Sequence, residues 1–169
     1  MRTFIAITLP ISDLLNNVLL GVKPMGKAVE GKNLHLTLKF LGEITNVEEI
    51  RKKLEEIVSS RFSIALKGMG AFPNAQNGRV LFVRAYPEDQ LRKLAQAVNS
   101  KTGEIPLDHP FNPHITILRV KDRRNFSELI SKYEDTVFLE SKVTSFSLFE
   151  SILRPDGPIY NEIQKYQLM

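Results

Sequence analysis

The sequence predicts an α+β fold with largely antiparallel sheets, built as two similar lobes that share one cleft. Three observations carry this. Three or four helical stripes are interleaved with seven or eight β-patterned runs, joined by short connections and hairpins. A short pattern, His-x-Thr-x inside an apolar run, occurs twice: in Asn33-Leu34-His35-Leu36-Thr37-Leu38-Lys39-Phe40-Leu41-Gly42 and in Asn112-Pro113-His114-Ile115-Thr116-Ile117-Leu118-Arg119-Val120. The two histidines lie 79 residues apart, close to half of the 169-residue chain. No composition shift or linker divides the chain, so residues 1–169 read as a single bilobal domain.

Arg2 to Leu9, rich in Ile, Thr and Phe, reads as a first strand that Pro10 ends. Ser12 is a good N-cap for a helix whose stripe is Leu14, Leu15, Val18 and Leu19, stopping near Gly21. Gly21 to Lys32, with three glycines and a proline, reads as a mobile basic loop. The first His-x-Thr strand covers about Leu34 to Leu41. Asn46 and Glu49 have the spacing of a capping box, ahead of a stripe of Val47, Ile50, Leu54, Ile57 and Val58. Phe62 to Lys67 alternates as a strand, Gly68 to Gly78 reads as a loop, and Arg79 to Ala85 as the returning strand of a hairpin.

Pro87 suits the first turn of a helix that buries Leu91, Leu94, Ala95 and Val98 and stops at Gly103. Glu104 to Pro113 is a proline-punctuated approach to the second His-x-Thr strand. Lys121-Asp122-Arg123-Arg124 reads as a basic turn, followed by a short helix with Phe126, Leu129, Ile130 and Tyr133 inward. The last third is β: about Thr136 to Leu139, Lys142 to Leu153 and Tyr160 to Leu168, with Arg154-Pro155-Asp156-Gly157-Pro158 as the final turn.

Composition narrows the function. Apolar residues make up 43% and charged residues 25%, as in an ordinary soluble protein. No apolar run approaches the roughly 20 residues a membrane helix needs, and the opening run is too short for a signal peptide. A cytoplasmic location is therefore expected. With no cysteine, disulfides, thiolate nucleophiles and cysteine-zinc sites are excluded. The absence of GxGxxG and GxxxxGK[ST] argues against NAD or ATP as cofactor. A net charge of +4 and a pI of about 9.3 favour a polyanionic partner.

Strand side chains alternate between faces, so His35 shares a face with Thr37, and His114 with Thr116. Leu34, Leu36, Leu38 and Phe40 are expected on the opposite face of the first strand. An imidazole gives or takes protons near neutral pH. Two of them on opposite sides of a substrate serve as acid and base in one step, each contributing on the order of 10²–10⁴-fold. The two threonine hydroxyls are short donors suited to the non-bridging oxygens of a phosphate. The pattern points to metal-free phosphoryl transfer, with a cyclic phosphodiester as a fitting substrate.

A zinc site of His35, His109 and His114, the only histidines, is the competing reading. His109 and His114 are separated by two prolines and lack helical register, and zinc leaves the threonines without a role. His109 reads as a loop residue near the cleft. Among candidate substrate contacts, Lys39 shares the His35 face in an ideal strand, and Arg119 faces away from His114 unless a bulge turns it back. Phe72, Phe111 and Tyr160 are candidates for stacking on a base. Arg79 and Arg84 flank a strand and read as solvated surface.

These motifs resemble those of the two-histidine phosphoesterase superfamily, and within it the RNA 2′,3′-cyclic phosphodiesterases, also called 2′-5′ RNA ligases. The likeness covers nearly the whole chain, including Met1-Arg2-Thr3-Phe4-Ile5-Ala6-Ile7 and Ser151-Ile152-Leu153-Arg154-Pro155-Asp156-Gly157-Pro158-Ile159-Tyr160. It implies two lobes related by a pseudo-twofold axis, with the cleft between two sheets and helices on the outer faces. It implies that His35 is the proton donor and His114 the proton acceptor, with Thr37 and Thr116 holding the phosphate. The implied reaction opens an RNA 2′,3′-cyclic phosphate end, such as that of a tRNA half, to a 2′-phosphate. In reverse it is ATP-independent 2′-5′ ligation. No cofactor, metal or membrane is implied, and a monomer is expected. A phosphodiesterase acting on a small cyclic nucleotide, or a non-catalytic module that binds RNA ends, are the alternatives.

Overall fold

The computed structural model describes residues 1–103 and 111–169. The first half of the chain runs β1 (Arg2–Thr8), α1 (Asp13–Val22), the two-residue β2 (Lys27–Ala28), β3 (His35–Glu43), α2 (Val47–Leu54) and β4 (Phe62–Phe72). The second half repeats that order without the short strand: β5 (Gly78–Tyr86), α3 (Glu88–Lys101), β6 (His114–Arg124), α4 (Ser127–Lys132) and β7 (Val137–Val143). Strands β8 (Ser145–Ile152) and β9 (Ile159–Gln167) close the chain. The fold is α+β, as the interleaved periodicities predict. All strand pairs are antiparallel, in a four-stranded sheet ordered β3-β1-β8-β9 and a five-stranded sheet ordered β2-β6-β5-β4-β7.

Each histidine strand stands at or next to an edge of its sheet, and β3 and β6 lie beside one another. One crossover helix packs onto the strand that bears the other half's histidine: α1 against β6, α3 against β3. The apolar faces of both sheets therefore feed one core. Ile5, Ile7, Leu36 and Leu38 from one sheet join Leu81, Val83, Ile115 and Ile117 from the other, with Leu15, Val18, Leu91, Leu94 and Val98 from the helices. Burial of these side chains, each contributing about 1.5–3 kcal/mol, fixes the two strands relative to one another. A second, smaller cluster of Phe4, Ala6, Phe149 and Tyr160 floors the opposite face of the four-stranded sheet.

Ser12 caps α1 as expected, accepting from the Leu15 amide at 3.1 Å, while its hydroxyl donates to the Phe138 carbonyl at 2.6 Å. Leu14 is exposed, and Val22 completes the buried stripe instead. Asn46 does not cap α2; its amide reaches Glu49 Oε2 at 3.5 Å. That helix stops at Leu54 and leaves Val58 exposed.

Three stretches read as loops are strand in part. Residues 21–32 complete α1, add 3₁₀ turns at Lys23–Met25 and Gly31–Asn33, and pair Lys27–Ala28 with Arg119 and Leu118 of β6. The pairing is long-range, so no local periodicity announces it. Strand β4 continues to Phe72, passing Gly68, which has φ +74° at a register shift. Strand β6 runs through the basic stretch to Arg124, because ladder pairing rather than polarity decides where it ends. The segment 104–110, with His109, lies outside the described residues.

Candidate active site

A residue skipped in each histidine strand decides which side chains reach the cleft. In β1–β3, Ala6 pairs with Thr37 and Ile5 with Lys39, so Leu38 is skipped. In β5–β6, Phe82 pairs with Thr116 and Leu81 with Leu118, so Ile117 is skipped. A bulge of one residue reverses the alternation beyond it. Leu38 and Ile117 both stay buried. Past the bulge, Phe40 pairs with Phe4, and Arg119 pairs with Val80, the alternation partner of Phe82. Phe40 and Arg119 therefore face the same way as the histidine and threonine of their own strand.

This corrects two expectations. Phe40 belongs to the face of His35 and Thr37, not the core face, and is 65% exposed. Lys39 is turned away from the cleft: its ammonium donates to Thr102 Oγ1 at 2.9 Å and to the Gly103 carbonyl at 2.8 Å, tying β3 to the end of α3. Arg119 is turned toward the cleft by the bulge on which that orientation depended.

The two imidazoles are held alike. His35 Nδ1 lies 2.7 Å from the Asn33 carbonyl, and His114 Nδ1 lies 2.6 Å from the Asn112 carbonyl. A carbonyl only accepts, so each Nδ1 carries the proton, and each Nε2 is left free to exchange one. Each ring also packs on two aromatic rings. His35 lies 5.0 Å from Phe4 and 5.2 Å, edge-on, from Tyr160; His114 lies 5.1 Å from both Phe82 and Phe72. The neutral Thr37 and Thr116 hydroxyls have no hydrogen-bond partner among the described residues, and each is half-buried.

The electrostatics join the two strands into one site. Burial lowers the His35 pKa below its ordinary 6.5; the Asn33 carbonyl opposes this, and the charges of Arg119 and His114 lower it further. His114 is lowered by burial and by Arg119, against the pull of the Asn112 carbonyl. Arg119 thus acts on both rings, and makes no ion pair among the described residues. Burial raises the Tyr160 hydroxyl above its ordinary value, which Arg119 partly offsets. Tyr160 therefore stays a neutral donor.

Of the residues read from sequence, Thr37 and Tyr160 lie on the face of His35, and Thr116, Arg119 and Phe72 on that of His114, whereas Lys39 lies on neither. Arg84, read from sequence as solvated surface, is exposed. In the structure it pairs directly with His114, and its guanidinium lies 5.5 Å from the centre of the Phe82 ring on the same face. Period-two alternation from Phe82 would have found it. The asparagine two residues before each histidine was visible in both copies, but its backbone role was not. Among the described residues, no three His, Asp or Glu side chains are grouped as metal ligands.

Two antiparallel sheets whose His-x-Thr strands lie beside one another define a two-histidine phosphoesterase. The comparisons narrow this. The 2′-5′ RNA ligase superfamily profile matches residues 23–152, and the chain belongs to that family. It is 35% identical to the RNA 2′,3′-cyclic phosphodiesterase of Archaeoglobus fulgidus, over 99% of this chain and 100% of that one. It is 40% identical to the enzyme of the same name from Aquifex aeolicus, over 87% and 84%. The crystal structure of TT0787 of Thermus thermophilus superposes with a TM-score of 0.78 at 32% identity, covering 99% of this chain and 98% of that one.

Proposed function

We propose that this protein hydrolyses RNA 2′,3′-cyclic phosphate ends to 2′-phosphates without a metal, as one bilobal domain. His35 is the general acid and His114 the general base. The observation that carries this is the matched pair of Nδ1–H bonds to the Asn33 and Asn112 carbonyls, which leaves two Nε2 atoms for one substrate.

His114 Nε2 takes a proton from the attacking water as its oxygen bonds to phosphorus. The bond from phosphorus to the 3′-oxygen breaks, and the leaving oxygen takes the proton of His35 Nε2. The 2′-ester bond stays intact, so the product is a 2′-phosphate and a 3′-hydroxyl. Thr37 and Thr116 donate to the non-bridging oxygens as charge builds on them, and Arg119 offsets that charge. The monoanionic diester also favours the imidazolium that burial disfavours, so substrate binding itself helps to load the acid. With a 5′-hydroxyl in place of water, the same steps form a 2′-5′ bond, and need no ATP.

The test is turnover of an oligonucleotide ending in a 2′,3′-cyclic phosphate, with the product phosphate mapped to the 2′- or 3′-oxygen. His35→Ala and His114→Ala are each expected to lower kcat by about 10²–10⁴-fold while the fold persists. EDTA is expected to leave the rate unchanged. Full activity in either variant, or a 3′-phosphate product, overturns the assignment.

A further inference from the structure

Beyond Arg119 the strand β6 behaves unlike the rest of the sheet. Val80 pairs with Arg119 and Gly78 with Arg124, so four residues of β6, Val120–Arg123, stand opposite the single residue Arg79 of β5. So large a bulge lifts the strand off the ladder and abolishes strict alternation. Lys121, Asp122, Arg123 and Arg124 are consequently all exposed. Across from them, β2 is seated tightly, because Gly26 has no side chain: a Cβ there would lie 2.6 Å from the Arg119 carbonyl oxygen. Between β2 and the arch lies a cavity of about 630 Å³, lined by Lys27, Arg119, Lys121, Arg123 and Arg124, with one acid, Asp122.

Five cations around one furrow repel each other, and none of them makes an ion pair among the described residues. Some cations elsewhere are neutralised, since Arg51, Lys53, Arg92 and Lys101 each lie within 3.8 Å of a carboxylate; what sets these five apart is that they line a single concavity. An unpaired like-charge cluster in a concave site favours a polyanion that supplies the missing charge. Arg119 belongs to the same furrow, so the polyanion is the molecule that brings the reacting phosphate, its chain running on from the nucleoside that bears it. A mononucleotide has no such chain; a strand with several phosphodiesters has one. Among the described residues no aromatic lines the furrow, a lining suited to backbone phosphate and not to a base.

We propose that the furrow between β2 and the arched end of β6 binds the phosphate backbone of single-stranded RNA, receiving nucleotides beyond the one that carries the reacting phosphate. This rests on the function proposed above for the chemistry and makes the enzyme selective for oligonucleotides over nucleoside cyclic phosphates. Lys27 and Arg119 hold the near end, and Lys121, Arg123 and Arg124 the far end.

The test is the affinity of the intact protein for a single-stranded oligoribonucleotide of about eight residues ending in a 2′-phosphate, measured against salt. Each phosphate contact on a single strand contributes about −0.7 to the slope of log K against log salt. The triple variant Lys121→Gln/Arg123→Gln/Arg124→Gln is expected to reduce the slope by about 2, and Lys27→Gln by about 0.7. A control triple of equal charge, Lys52→Gln/Lys93→Gln/Lys142→Gln, on α2, α3 and β7, is expected to keep a slope within about 0.7 of the wild type. Equal slopes in the furrow variants and wild type, or an equal loss in the control, overturn the proposal. Because binding needs no turnover, it fails or stands apart from the chemistry, which wild-type hydrolysis of a nucleoside 2′,3′-cyclic phosphate tests separately.

Discussion

Phe40 and Arg119 occupy the same place in the two halves of the chain. Each follows its histidine by five residues, and each is returned to the catalytic face by a bulge, at Leu38 in β3 and at Ile117 in β6. One half presents an exposed apolar ring there and the other a guanidinium. The backbone is thus duplicated while the cleft is chemically asymmetric, with a cationic side suited to phosphate and an aromatic side suited to a nucleoside. Phe4 bridges that aromatic side, its ring 5.0 Å from His35 and 6.1 Å from Phe40.

Replacing Arg119 should move the pH profile as well as lower the rate. The proposed acid–base pair needs one imidazole protonated and the other neutral. Both pKa values lie below 6.5, so in the free enzyme the singly protonated pair is depleted above that pH, and the alkaline limb of kcat/KM should break below 6.5. The guanidinium disfavours a second positive charge on either ring. Arg119→Met should therefore raise both pKa values and move the limb to higher pH, while kcat/KM at its optimum falls by about 10²-fold or more. An unshifted limb would show that Arg119 does not act on the rings.

Phe40→Ala should weaken binding of a nucleoside 2′-phosphate. Stacking of a base on an aromatic ring contributes about 1–3 kcal/mol, or roughly 5- to 150-fold in Kd. Phe40→Tyr should retain the affinity, since the ring face survives. Calorimetric titration measures both, and an unchanged Kd in Phe40→Ala would mean the base lies elsewhere.

The order of helices and strands was legible because each carries its own period and stop signals, and the twin His-x-Thr runs announced the site. What escaped was set by partners distant in sequence. The seating of Lys27–Ala28 beside β6 is decided by ladder bonds to Arg119 and Leu118. The inversion that sends Lys39 outward and Phe40 inward comes from one skipped residue that β1 imposes on β3. An ideal strand drawn from residues 35–41 places both on the wrong side. The same device in β6 delivers Arg119, so the register, more than residue type, separates site from scaffold.

Lys39→Met is expected to affect stability and spare chemistry. Its ammonium holds the Thr102 hydroxyl and the Gly103 carbonyl, just past the end of α3, on the side of β3 away from His35 and Thr37. Hydrogen bonds from a charged donor contribute about 1.5–3 kcal/mol when well buried. Partial exposure here reduces that to about 1 kcal/mol. Urea unfolding should show this loss with kcat/KM within about twofold of wild type. A fall of an order of magnitude in kcat/KM with stability intact would place the ammonium on the phosphate instead.

Gly70 tests whether the aromatic floor under His114 matters to the imidazole it supports. Gly70 pairs with Phe82 across β4 and β5, and an added Cβ would lie 2.5 Å from Phe82 Cζ and 2.9 Å from an Arg84 guanidinium nitrogen. Phe82 is 2% exposed, and its ring packs on Phe72 at 4.5 Å and on His114 at 5.1 Å, so a shift of that ring disturbs the aromatic contacts that hold His114. Overpacking of this kind costs about 1–3 kcal/mol. Gly70→Ala should therefore lower the melting temperature and, by displacing His114 Nε2 from its line with the phosphorus, lower kcat more than it raises KM. Phe82→Leu in the same background relieves the clash without restoring the floor. Rescue of stability with kcat still depressed would assign the ring a positioning role, whereas rescue of both would reduce Gly70 to packing alone.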